Sequence, residues 1–389
     1  MRIRMLLRNP FTRDARVLRE ARALAAAGHD VTVVAMRAPG LPAVEQRDGF
    51  TVERAVRAGA LAGPTITGAA GGASSAGARR LPRPAAAVWV RDKMLSRAFS
   101  AAATAKPADV YHAHDLNTLE PAVRAAMRQR ARLVYDAHEL YPDLTGLGRG
   151  ERARWRRVEE RLIGRADVVI VPSEGRADAL VQRYGIARPA VVMNAPESAG
   201  SPDPAASPLA SLRRPGELLA IYAGGFTPNR GLENLVRAIP RAPGWRLVMM
   251  GWGPLEAELR RLGGDRVTFV PAVEPDRVVG TIAAADLGIA SYVPIGLNNK
   301  LAAPNKLFEY LHAGLAVAAA DLPDIRRIVE GHDVGALFDP GEEASIAAAL
   351  RSMAEPGRLE AARANARAAA PLYTWEAQAE TLLALYEKL

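Results

Sequence analysis

Short apolar runs alternate with segments of helical periodicity along most of the chain. Residues 3–7 and 31–35 read as buried strands, and the helix between them has Val17, Ala21, Leu24 and Ala25 on one apolar face. Thr12 is placed to cap that helix and Gly28 to end it. Further strands are expected at 110–113, 133–135 and 168–171, with helices between them. Residues 196–208, PESAGSPDPAASP, have the composition of a linker. After them the rhythm restarts, with strands at 218–223, 247–250, 267–270, 287–290 and 315–319 and a helix over 231–239. This βαβ alternation predicts an α/β protein of two Rossmann-like domains, 1–195 and 209–372, each a doubly wound parallel sheet, facing a central cleft. Residues 59–84, rich in Gly, Ala, Ser and Pro, interrupt the rhythm and are expected to form a mobile loop, whether for acceptor contact or as plain disorder.

The length of 389 residues suits two domains of this size. The absence of cysteine excludes disulfides, thiolate metal sites and a cysteine nucleophile, and fits a cytoplasmic protein. No uncharged apolar stretch is long enough to span a bilayer. The charge is uneven: residues 1–195 hold 32 Lys and Arg against 19 Asp and Glu, and the remainder holds 19 against 23. A basic first half is compatible with peripheral contact with an anionic membrane or with an acidic acceptor; scattered surface arginines are the plain alternative. Nucleic acid is not expected as a partner, because the chain lacks an aromatic stacking motif or a DNA-reading module.

Three glycine-bearing strand-to-helix turns mark the second half as a nucleotide site. In AGGFTPNRG, Gly224 and Gly225 allow close approach to a ligand, and Arg230 can fork onto phosphate oxygens. Gly251 and Gly253 occupy GWGP. In APNKLFEYLHAG, Pro304, Asn305, Lys306 and Leu307 open a helix whose first N–H groups, with the Lys306 ammonium, can hold a pyrophosphate. Lys306, Glu309 and Tyr310 are expected on or near one face, with the Glu309 carboxylate reaching a ribose. There is no Walker loop and no G-x-G-x-x-G fingerprint.

In the first half, YHAHD and VYDAHE end two expected strands and bring His112, His114, Asp115, His138 and Glu139 to one edge. His114, His138 and Glu139 are the candidates for proton transfer or for gripping sugar hydroxyls. His112 is expected to be structural and to point away from His114. No metal site and no cofactor are expected, since the chain has no D-x-D pair.

These motifs, in this order, resemble the family 4 (group 1) glycosyltransferases of GT-B fold, most of which retain anomeric configuration. RNPFTRDARVLREARALAAAGHDVTVVA is similar to the family's first β-loop-α-β unit. YHAHDLNTL and VYDAHELYP are similar to its cleft motifs, and AGGFTPNRGLENL, GWGP and PNKLFEY to its donor domain. The resemblance implies a hexosyltransferase using a nucleotide-sugar donor, UDP-linked by default, in glycan or glycoconjugate biosynthesis. It implies Glu309 on the ribose, Arg230 on the donor phosphates and His114 near the transferred sugar. It also implies a final segment, 373–389, that crosses back onto the first domain. Two departures stand out: Leu301 replaces the first glutamate of the E-x7-E motif, and Gly225 replaces an arginine that often precedes the phosphate-binding lysine. Lys300 or Lys306 would then compensate. The reaction is read as metal-independent and retaining, with His114 or Glu139 as the base should it invert. The acceptor is left open among glycan, lipid, protein and secondary metabolite. The rival classes are a UDP-sugar 2-epimerase and a non-catalytic nucleotide-sugar or nucleic-acid binding protein.

Overall fold

The computed structural model describes residues 1–12, 14–56, 85–198, 200 and 202–389, so the segment 59–84 lies outside the described residues. The chain divides into two compact units, one of Met1–Val192 with Ala379–Leu389 and one of Met193–Gln378. The Trp375–Tyr386 helix is therefore shared between them.

The first unit is built on strands β1 (Arg2–Leu6), β2 (Asp30–Met36), β3 (Val44–Arg47), β4 (Phe50–Val56), β5 (Val110–His114), β6 (Arg132–Asp136), β7 (Val168–Val171) and β8 (Ala190–Val191). Their order is β3-β4-β2-β1-β5-β6-β7-β8, and every pairing is parallel except β3 with β4. The order reverses between β1 and β5, and in such sheets ligands bind outside the strand C-termini at that point. The Ala15–Ala26 helix buries Val17, Ala21 and Leu24, as its periodicity predicts. Its cap is Asp14, whose carboxylate accepts from the Val17 N–H at 3.2 Å, and not Thr12. The β3–β4 hairpin is absent from the sequence expectation. Its turn is Asp48-Gly49, both at positive φ (48° and 85°), the dipeptide that a two-residue hairpin demands.

The second unit carries β9 (Leu218–Ala223), β10 (Trp245–Met250), β11 (Val267–Val270), β12 (Leu287–Ala290), β13 (Ala316–Ala320) and β14 (Gly335–Phe338). The sheet is wholly parallel, in the order β11-β10-β9-β12-β13-β14. This is the 3-2-1-4-5-6 order of dinucleotide-binding folds, with its reversal between β9 and β12. Those two strands pair only at Leu287 with Ala220 and Gly288 with Ile221, then part. Tyr310 fills the fork: its ring lies against Gly288, its hydroxyl accepts from the Ala223 N–H at 3.1 Å and donates to the Ile289 carbonyl at 3.0 Å. Tyr310 is thus fully buried behind the helix. Replacing it with phenylalanine orphans a buried N–H and is expected to cost about 1–3 kcal/mol. A urea titration of the Tyr310→Phe protein measures this; an unchanged midpoint would remove the hydroxyl from the account.

Candidate functional site

In the second unit, three turns after β9, β10 and β12 carry the predicted donor residues. The β9 and β10 turns touch: a Cβ on Gly251 would stand 1.9 Å from the Gly224 carbonyl oxygen, so only glycine fits there. Gly224 in turn faces Lys306, whose Nζ would be 2.9 Å from a Cβ at Gly224. Gly225 and Gly253 continue the same turns, and Phe226 donates its N–H to the Trp252 carbonyl at 2.9 Å to lock them together. The third turn ends in the Asn305–His312 helix. Pro304 is the residue before this helix, with extended backbone (φ −75°, ψ 138°), and does not lie in its first turn as expected. The Leu307 N–H bonds back to the Pro304 carbonyl at 3.0 Å.

The Lys306 side chain runs back into the unit and is only 7% exposed. Its ammonium sits 3.7 Å from the centroid of the Tyr222 ring and 5.5 Å from that of Tyr292. Arg230 stacks on the other aromatic, with its Cζ 4.0 Å from the Tyr292 centroid. Among the described residues neither cation is in a salt bridge; both rest on aromatic faces. Burial, with the Arg230 charge beside it, pushes the Lys306 pKa well below the usual lysine range, against the pull of Glu309. Glu309 is half-buried one turn into the helix. Leu301 is buried, at 8% exposure. The structure thus gathers Gly224, Gly225, Gly251, Gly253 and Lys306 around one point. Arg230 and Glu309 lie within electrostatic reach of Lys306.

The first unit holds a different assembly at the ends of β5 and β6. Arg16 lies buried on the first helix and grips Asp136 with two bonds, Nε to Oδ2 at 2.7 Å and a second guanidinium nitrogen to Oδ1 at 2.8 Å. Its third nitrogen donates to the Val192 carbonyl at 2.7 Å, and Glu20 stands 3.0 Å away. His138 Nε2 approaches Asp136 Oδ2 at 2.9 Å and His114 Nδ1 at 3.1 Å. His112 and His114 stack on each other, centroids 4.2 Å apart and planes 24° from parallel. The expectation that His112 points away from His114 is therefore overturned: residues two apart on a strand share a face. His112 Nδ1 and the Tyr386 hydroxyl, from the final helix, are 2.8 Å apart. Glu139 follows His138 as a half-buried residue.

Electrostatics sort these groups. Burial opposes the charged form of His138, but Asp136 and Asp115 outweigh it and raise its pKa to about 10. Burial, with the Asp136 charge, raises Glu20 to about 8. Burial opposes the ionised Asp136 too, but Arg16 and His138 hold its carboxyl well below the usual range. His114 is pushed down by burial. His138 is thus a cation poised to donate, while His114 is neutral and fully buried. One donor atom from each of Glu20, His112, His114 and Asp136 falls within 4.8 Å of the others, but the Arg16 guanidinium already supplies positive charge to both carboxylates.

The sequence expectation missed Arg16, Glu20 and Asp136. The signal was present: Glu20 is one turn before Leu24 on the apolar row, where a carboxylate must be answered by a buried partner.

These pKa values fix a pH dependence. The stability that His138 gains from its carboxylates is complete below about pH 6.5 and is lost as pH rises through about 10. Glu20 acts in the same sense, because ionising it in place costs stability as pH rises from about 4.5 to about 8. The melting temperature is expected to fall from about pH 6.5 towards 10, less steeply in His138→Gln than in the native chain. Equal slopes in the two proteins would contradict the assignment.

Two parallel α/β units with nucleotide-type turns define the class, and comparison with known proteins defines the family. The family model for Glycosyltransferase Family 4 matches residues 15–195, and that for Glycosyl transferases group 1 matches residues 217–355. The chain belongs to this glycosyltransferase family and has the GT-B fold. It is 30% identical over 251 residues to the D-inositol 3-phosphate glycosyltransferase of Rhodococcus jostii, covering 59% of this chain and 54% of that relative. The match thus spans about half the length of that protein. Among solved structures, the sucrose-phosphate synthase of Thermosynechococcus elongatus superposes with a TM-score of 0.77 at 21% identity, over 100% of this chain and 98% of the other. Anabaena Alr3699/HepE in complex with UDP and glucose gives a TM-score of 0.71 at 19% identity, over the whole of both chains. No helix among the described residues is long and apolar enough to cross a membrane.

Proposed function

We propose that this chain transfers a hexosyl group from a UDP-sugar to an acceptor, without a metal and with retention of configuration. The observation that carries the reading is the pair of cations, Lys306 and Arg230, held on tyrosine faces at the switch point of the second sheet and outside any salt bridge among the described residues. A diphosphate would supply the missing counter-charge and stabilise Lys306 in its charged form. The same contacts would strengthen as the leaving diphosphate develops its charge, which is the requirement for catalysis. Lys306 takes the place of the arginine that Gly225 lacks, and the Glu309 carboxylate would accept from the ribose hydroxyls. UDP in the HepE complex supports a uridine donor as the first to test.

In the first unit, His138 as a cation would donate a hydrogen bond to a sugar oxygen, with Asp136 and Arg16 fixing its ring. Retention would let the departing phosphate take the acceptor proton on the same face, which leaves buried, neutral His114 a positioning role. The test is product analysis with UDP-glucose and UDP-N-acetylglucosamine, with and without candidate acceptors. Acceptor-dependent release of UDP with an α-linked product supports the proposal. A new nucleotide sugar formed from donor alone would establish an epimerase instead.

A further inference from the structure

The first unit has a pocket of about 220 Å³ bordered by the Ala85–Ala103, Leu116–Gln129 and Arg149–Leu162 helices. Arg8, just after β1, and Asn117, just after β5, both line it, so it lies at the C-terminal ends of the two switch-point strands. Its wall is strongly basic. Arg8, Lys93, Arg154, Arg157 and Arg161 face only Asp92 and Glu120.

Both carboxylates are already answered. Asp92 takes Arg8 at 2.6 Å and Arg154 at 2.5 Å, and Glu120 takes Lys93 at 2.9 Å and Arg124 at 2.8 Å. Arg157 and Arg161 are in no salt bridge among the described residues. They stand at i, i+4 on one helix face, where like charges repel unless an anion is bound, beside Arg154, whose charge Asp92 already answers. Two buried polar atoms in the pocket residues, Arg154 Nε and Asn117 Oδ1, also have no hydrogen-bond partner. Beside these cations are two tryptophans. Trp155 is buried, with the Arg154 guanidinium 4.6 Å from its ring centroid, while Trp89 is 51% exposed. An exposed indole face suits the C–H face of a sugar or polyol ring. The surplus of unpaired arginine charge suits a dianion better than a single carboxylate.

We propose that this pocket binds the acceptor as a phosphorylated sugar or polyol, its ring against Trp89 and its phosphate held by Arg157 and Arg161. The assignment of this ligand as acceptor rests on the transferase reading above; the binding itself does not.

Calorimetric titration of the full chain tests it, using glucose 6-phosphate and myo-inositol 1-phosphate against glucose, myo-inositol and inorganic phosphate. At least one phosphorylated ring is expected to bind about tenfold or more tighter than its unphosphorylated form and than inorganic phosphate. The Arg157→Gln/Arg161→Gln protein loses the first preference and Trp89→Ala the second, while UDP binding in the second unit stays as it was. Vesicles of phosphatidylinositol, compared with vesicles of phosphatidylcholine, show whether the same headgroup is also taken from a lipid. No preference for phosphate in any probe, soluble or lipid-borne, overturns the proposal, as does a preference that survives the double substitution. Loss of UDP binding or turnover with the sugar phosphate still bound would sink the transferase reading and leave the pocket standing.

Discussion

Replacing Arg16 with methionine is expected to destabilise the first unit by about 3–5 kcal/mol, because it leaves a buried carboxylate without its partner. Arg16 is 4% exposed and Asp136 is fully buried, so water cannot take over the bidentate contact. The loss spreads further. Glu20 stands 3.0 Å from the same guanidinium, and without it two carboxylates and His138 must share the cluster. The Val192 carbonyl, at the unit boundary, loses its donor as well. Chemical unfolding followed by circular dichroism measures the effect. Arg22→Met is the control: its pair with Asp48 is more than 40% exposed on both sides, and such pairs contribute about 0–1 kcal/mol. Equal destabilisation by the two substitutions would show that the Arg16 cluster is not the keystone of this unit.

Lys306→Met is expected to weaken UDP binding about ten- to hundredfold, the worth of one charge-assisted hydrogen bond, and at the same time to raise the melting temperature of the free protein. The two effects have one cause. Burial and the Arg230 charge depress the Lys306 pKa, so a charged lysine at this point costs folding free energy at neutral pH. That cost diminishes as pH rises from the folded pKa towards the unfolded value. Methionine has nearly the same shape and none of the charge. Binding of the diphosphate offsets that cost in the native chain and not in the variant. A variant less stable than the native chain, with UDP affinity unchanged, would make Lys306 an ordinary structural residue.

Much of the fold was legible in the pattern of the chain. Val168–Val171, Leu218–Ala223, Val267–Val270 and Leu287–Ala290 are strands with the bounds that their apolar runs suggested. Leu218–Ala223 and Leu287–Ala290 are central strands buried on both faces, which must be apolar throughout, so their sequences stand out. The β3–β4 hairpin was missed because VEQR has no apolar run, although Asp48-Gly49 marked its turn. The site was legible where backbone geometry dictates the residue. Gly251 must be glycine because a carbonyl oxygen occupies the place of its side chain. It was only partly legible where long-range pairing decides. Glu20 stands on the apolar row of its helix, but its i, i+4 pairing with Arg16 also suits a surface, and the partner that makes both a core element, Asp136, lies 120 residues along the chain from Arg16. Tyr310 likewise gave no local sign that its hydroxyl joins β9 and β12.

The most direct test of the central claim, a uridine-nucleotide site on the second sheet, is a calorimetric titration with UDP, GDP and dTDP on the native chain and on Glu309→Ala. UDP is expected to bind more tightly than the other two and to lose at least about tenfold in the variant. Equal binding of UDP by both proteins, or no binding of any nucleotide by the native chain, would contradict the donor site built here on Glu309, Lys306 and Arg230.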